Sequence, residues 1–97
     1  MTKDQALNHT LHVIADPTRR RILQALKVKG AIAAQQRGLC ASDIESRIHL
    51  TQPTISHHMA ILEKAGLVQS RKQGQWRWYR RNETAIRSFT QALKQAL

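Results

Sequence analysis

The chain has 97 residues, with 16 Lys or Arg against 6 Asp or Glu, for a formal net charge of +10. That length suits one small domain with a thin core, and 41% apolar residues is too many for a disordered tail. Short apolar runs exclude a membrane-spanning helix, and a single cysteine excludes an internal disulfide or a two-cysteine zinc motif. Met1-Thr2-Lys3-Asp4 leads straight into a mixed helical pattern with no apolar secretory segment, so a cytoplasmic protein is expected.

The first predicted helix covers 5–15. Leu7, Leu11 and Ile14 recur on one face at a 3.6-residue period. Asp16-Pro17 then ends it and starts a second helix over about 17–28, Asp16 as N-cap and Pro17 as first helical residue. Ile22, Leu23 and Leu26 form its apolar face, and Gly30 closes it. Residues 29–40 are small, polar and weakly patterned, and read as a loop or a loop with one helical turn. Ser42-Asp43-Ile44-Glu45 has capping-box spacing, which predicts a third helix over 42–48 with Ile44 and Ile48 inward.

A His49-Leu50 turn follows. Thr51 can cap a fourth helix, Pro53 fits its first turn, and Ile55, Met59 and Leu62 share its inner face. Gly66 is placed to stop it. Beyond it, 67–72 and 75–81 read as two strands joined at Gln73-Gly74. Residues 71–81 hold Arg71, Lys72, Arg77, Arg80 and Arg81, no acid, and Trp76, Trp78 and Tyr79. Asn82 caps a last helix striped by Ile86, Phe89, Leu93 and Leu97. The fold class is therefore mainly α with a small β-hairpin (α+β), in the order helix, helix, helix, helix, strand, strand, helix, over a single domain 1–97. A helix-turn-helix followed by a basic hairpin is a winged helix.

Four segments carry a family resemblance: 15–23 (ADPTRRRIL), 50–59 (LTQPTISHHM), 62–68 (LEKAGLV) and 74–80 (GQWRWYR). In that order they resemble the ArsR family of winged-helix transcriptional regulators. The resemblance implies a homodimer that binds double-stranded operator DNA and represses transcription. It also implies that the terminal helices pair across the dimer, with Leu7, Leu11, Phe89, Leu93 and Leu97 at the interface. The competing reading of those side chains is an intramolecular core.

The residues point to DNA on their own account. With Ile55, Met59 and Leu62 inward, Gln52, Thr54, Ser56, His57 and Ala60 lie nearer the outer side of the fourth helix. Short polar groups at a helix N-terminus can enter a major groove; Gln suits adenine, and Ser or Thr suits several base edges. The bland alternative is that the threonines only cap the helix. Adjacent His57 and His58 point about a hundred degrees apart on a helix, a poor arrangement for one metal. His57 is expected near DNA and His58 partly packed.

Within the hairpin, Trp76 and Trp78 share one face and Arg77 and Tyr79 the other. The aromatics are read as core and rim packing. The wing tip, Lys72 to Gln75, is the candidate for minor-groove or phosphate contact, and Arg71, Lys72, Gln75 and Arg77 are its candidate DNA-binding residues. Arg19, Arg20 and Arg21 can meet phosphate, or Arg19 and Arg20 can pair with acids such as Asp16.

Many members of the resembled family sense metals through Cys-x-Cys at the start of the third helix. Here the second position is Ser42, and 83–97 carries no His, Asp or Cys, so no metal or cofactor is expected. Cys40 is a candidate sensor with three readings: an inert buried thiol, a redox switch near a helix N-terminus, or a ligand shared with His9 and His12. No nucleophile–base pattern, Gly-rich phosphate loop or carboxylate pair points to an enzyme. The expectation is a homodimeric repressor on an inverted-repeat operator, effector unassigned. The alternative is a constitutive nucleic-acid-binding accessory protein.

Overall fold

The computed structural model describes residues 1–27 and 38–97. Helix α1 runs Lys3–Ile14 and α2 runs Pro17–Ala25. Strand β1 is Leu39–Cys40, followed by α3 over Ala41–Ile48 and α4 over Gln52–Lys64. Strands β2 (Val68–Gln73) and β3 (Trp76–Arg81) form the hairpin, and α5 closes the order at Glu83–Ala96.

The local reasons are legible at each end. A capping box starts α1: the Gln5 amide donates to Thr2 Oγ1, and the Thr2 amide to Gln5 Oε1. Asp16 Oδ1 accepts from the Thr18 and Arg19 amides at 2.8 and 3.2 Å, and Pro17 is the first residue of α2. This helix ends at Ala25, short of 28, because the Lys27 amide takes the Gln24 carbonyl three residues back and tightens the last turn. The expected stop at Gly30 and the loop over 29–37 lie outside the described residues.

The third helix starts one residue earlier than expected and without a Ser42 cap. Cys40 is its N-cap, and Asp43, not Glu45, reaches back to the Cys40 amide at 3.2 Å. His49, in the left-handed region at φ 56°, turns the chain from α3 into α4. Thr51 sits at the N-cap of α4, but its hydroxyl pairs with that of Thr54 and not with an amide. At the other end, Gly66 (φ 80°) lets the Leu67 amide reach Leu62 O and its own amide reach Glu63 O. That is a Schellman closure, with buried Leu62 and Leu67 as its apolar contact.

The sheet departs from a simple hairpin. It has three antiparallel strands in the order β1-β3-β2. Leu39 pairs with Tyr79 and Cys40 with Trp78, so part of the stretch read as loop is a strand. Two residues carry no periodicity, which hid it. In the hairpin Gln73 pairs with Trp76, so the two-residue turn is Gly74-Gln75, one position later than expected. A first turn residue at φ 62° and a second without positive φ match the type II′ pattern.

The core gathers Val13, Ile22, Leu26, Ile44, Ile48, Ile55, Met59, Leu62, Leu67 and Val68. Among the described residues, every helix but α5 buries at least one side chain. On α1 the buried residue is Val13, while Leu7, Leu11 and Ile14 are half-buried. Ile86 ties α5 to the core, and α5 lies along α1.

Candidate nucleic-acid interface

Three consecutive arginines sit below the helix-turn-helix, and each donates to carbonyls at a helix end. Arg20 Nη1 reaches Ile14 O and Ala15 O at 2.6 and 3.0 Å. Arg21 Nη2 reaches Ile48 O, and Arg19 Nη1 reaches Val13 O. Cations at helix C-termini satisfy orphan carbonyls and complement the helix dipole. These arginines brace the scaffold; Asp16 accepts backbone amides at α2 and no arginine side chain.

Helix α4 divides cleanly. Ile55, Met59 and Leu62 are buried, and Gln52, Thr54, Ser56, His57 and Ala60 are exposed. His58 is half-buried, its Nδ1 accepting from Arg19 Nε at 3.3 Å. Burial pushes the His58 imidazole below its ordinary 6.5; Asp16 partly offsets this, and the charges of Arg19 and His57 add to it. Burial also acts to raise the Asp16 carboxyl. The Arg19 and Thr18 amides, with the His58 and Arg19 charges, outweigh it and hold the pKa below 3.8. His57 and His58 rings meet edge to face, centroids 5.4 Å apart.

The hairpin stands beside the C-terminal end of α4. Register puts Val68, Ser70, Lys72, Arg77, Tyr79 and Arg81 on one face, and Gln69, Arg71, Gln73, Trp76, Trp78 and Arg80 on the other. Tyr79 packs against the core, and burial raises its phenol above 10, the Arg77 charge opposing. Trp76 is 52% exposed, which corrects its reading as packing: it stands at the hairpin tip, past the end of the core. Arg71, Lys72, Gln75 and Arg77 are all exposed. Arg77 Nη1 donates to Ser70 Oγ at 2.9 Å, and Ser70 Oγ donates to Glu63 Oε1. Arg81 is withdrawn from the surface by Glu83 and Leu23 O. Arg80, exposed beside Trp78, joins the basic face that sequence reasoning had left unassigned.

Cys40 is 7% exposed, with Sγ 3.1 Å from both Ser42 Oγ and Asp43 Oδ2. Among the described residues no three His, Cys, Asp or Glu side chains group as metal ligands, so Cys40, His9 and His12 do not converge. Among the same residues no helix is long and apolar enough to cross a membrane.

A polar helix N-terminus after a tight turn, beside a basic two-stranded wing, defines a winged helix-turn-helix protein. A helix-turn-helix domain family matches residues 14–71. An uncharacterized HTH-type transcriptional regulator of Methanocaldococcus jannaschii is 38% identical over 79 residues, covering 81% of this chain and 81% of that protein. The transcriptional repressor SdpR of Bacillus subtilis is 34% identical over 80 residues, covering 82% and 80%. An ArsR-like transcriptional regulator from a Rhodococcus species superimposes with a TM-score of 0.77 over 95% of this chain and 79% of that one; at 24% identity it speaks for the fold alone. The chain belongs to the ArsR family of helix-turn-helix transcriptional regulators.

Proposed function

We propose that this chain is a homodimeric repressor that binds an inverted-repeat operator, with α4 in the major groove and the wing on the backbone. One observation carries the reading. Gln52, Thr54, Ser56 and His57 are exposed on the first turns of a helix whose opposite face is fully buried. Such a helix is firmly held and presents uncharged, mostly hydrogen-bonding groups outward. It fits base-edge readout better than it fits a merely solvated face. The exposed Arg71, Lys72, Gln75 and Arg77 supply sequence-independent backbone contacts beside it.

The dimer rests on α1 and α5. Between them runs a groove lined by Ala6, Leu7, Thr10, Phe89 and Ala92. Leu11 and Leu93 are half-buried, and Leu97 is 98% exposed. A second copy would cover these residues and set two α4 helices about one DNA turn, roughly 34 Å, apart. The SdpR relative is named a transcriptional repressor, which supports that sign of regulation here. Cys40 we read as a packing residue, on its burial and its bond to Asp43.

The test is selection of duplexes from a random pool, then footprinting. An enriched inverted repeat is expected. Gln52→Ala and Ser56→Ala should each relax base preference, by about 1–3 kcal/mol where a bidentate or well-aligned contact is lost. Unchanged preference in both variants removes α4 from the reading role. Equal binding to all duplexes favours the accessory-protein alternative.

A further inference from the structure

We propose that Arg19 is a positioning residue for α4, acting through His58, and that this pair makes operator binding weaken in acid. The inference rests on the DNA-binding reading above. Arg19, on α2, links three helices, its side chain reaching α1 and α4. Its amide donates to Asp16 Oδ1 at the start of α2, its Nη1 to Val13 O in the last turn of α1, and its Nε to His58 Nδ1 on α4. His58 lies directly after His57 and two residues after Ser56, on the turn that faces outward. The polar tether therefore fixes the part of α4 assigned to base contact, while Ile55, Met59 and Leu62 supply only apolar, less directional anchorage.

The tether needs a lone pair. Because Nδ1 accepts from Arg19, the neutral ring carries its proton on Nε2. A second proton goes to Nδ1 and leaves no acceptor. Two cations then face one another across 3.3 Å, and the contact turns repulsive. The charged groups facing His58 are Asp16 and Arg19 at the start of α2 and His57 on its own helix. Asp16 favours the charged ring, but its Oδ1 is already engaged by two amides. Burial of the ring works against the charge.

The experiment uses the full chain and a duplex that the wild type has selected from a random pool at about pH 7.5. Its affinity is compared at about pH 7.5 and 5.5 for wild type, His58→Asn and Arg19→Lys. Asn places an amide oxygen where Nδ1 stood and does not titrate. The DNA contributes alike to wild type and His58→Asn, so the ratio of their two pH dependences cancels it. Wild type should lose about twofold to tenfold more affinity than His58→Asn, the ceiling being set by an ordinary pKa of 6.5. Arg19→Lys, which keeps the charge but cannot reach both acceptors at once, should bind more weakly at pH 7.5 and lose less on acidification. Nitrogen-15 shifts of wild-type His58 should report the Nε2–H tautomer, a readout that needs no variant. A ratio of one, stronger relative binding in acid, or an Nδ1–H tautomer overturns the inference while leaving the DNA reading intact. A wild-type chain that selects no duplex overturns both.

Discussion

Gly38 is the position where one methyl group should do most damage. It precedes β1 with φ at 97°, and an added Cβ would stand 2.1 Å from Tyr79 O and 2.7 Å from Tyr79 C. Both are backbone atoms of β3, so no side chain can swing away. Gly38→Ala must open the pairing of Leu39 with Tyr79 and Cys40 with Trp78. The left-handed backbone costs about 1–2 kcal/mol in any L-residue other than glycine. Losing the short ladder adds about 1 kcal/mol per net hydrogen bond. The sum is about 3 kcal/mol, or a midpoint lowered by roughly 12–24 °C in a chain of this size. Gly66 and Gly74 are internal controls: both have positive φ, but nothing lies within 4 Å of their added Cβ. Each Ala variant there should carry only that backbone cost, about 1–2 kcal/mol. Urea unfolding at one fixed chain concentration measures all three, because the proposed dimer would make stability concentration-dependent. If Gly38→Ala is no less stable than Gly66→Ala, the third strand is not docked as described.

Three further outcomes follow from the same geometry. Arg71→Ala and Lys72→Ala should weaken selected and random duplexes equally, each lowering the slope of log K against log salt by about 0.9; an unchanged slope removes the wing from the backbone. Leu93→Asp, on the half-buried stripe of α5, should sediment as a monomer with its helical content kept, and a persisting dimer refutes the α1–α5 interface. Asp16 binds its proton less readily when folded, so its contribution is present above 3.8 and is lost as pH falls through the lower folded value. Asp16→Asn keeps an acceptor at the cap without titrating. Its thermal midpoint should therefore fall less than wild type between about pH 5 and pH 2, and parallel curves refute the assignment.

Strong periodicity and punctuation were legible in the chain. The inner face of α4, the Asp16-Pro17 start of α2 and the Gly66 stop each have one dominant local cause, and each stands where the pattern put it. What escaped was decided at a distance. Strand β1 exists because β3 offers it an edge, and two residues cannot announce that locally. The cap of α3 moved from Ser42 to Cys40 because the preceding strand fixes where the chain turns. The exposed set on α4 could be listed from helix geometry, but the Arg19–His58 bond spans 39 positions and no spacing rule reaches it. Likewise Trp76 and Tyr79 differ by three residues and opposite fates, because only register says which face meets the core.

The same separation changes what the charge of +10 means. Arg19, Arg20 and Arg21 donate to helix-end carbonyls, and Arg81 to Leu23 O and Glu83. A guanidinium bonded at one nitrogen keeps its full charge, so these groups still attract a polyanion from a distance. Their reach is limited, however, and a phosphate contact requires reach. Arg71, Lys72, Arg77 and Arg80 are the basic groups that the hairpin leaves exposed. Association rate should therefore follow total charge, while the salt dependence of the equilibrium should follow the much smaller number of side chains that touch phosphate. A winged helix built this way gains long-range steering from its braces and short-range grip from its wing. On the proposed reading, sequence choice is left to the uncharged face of α4.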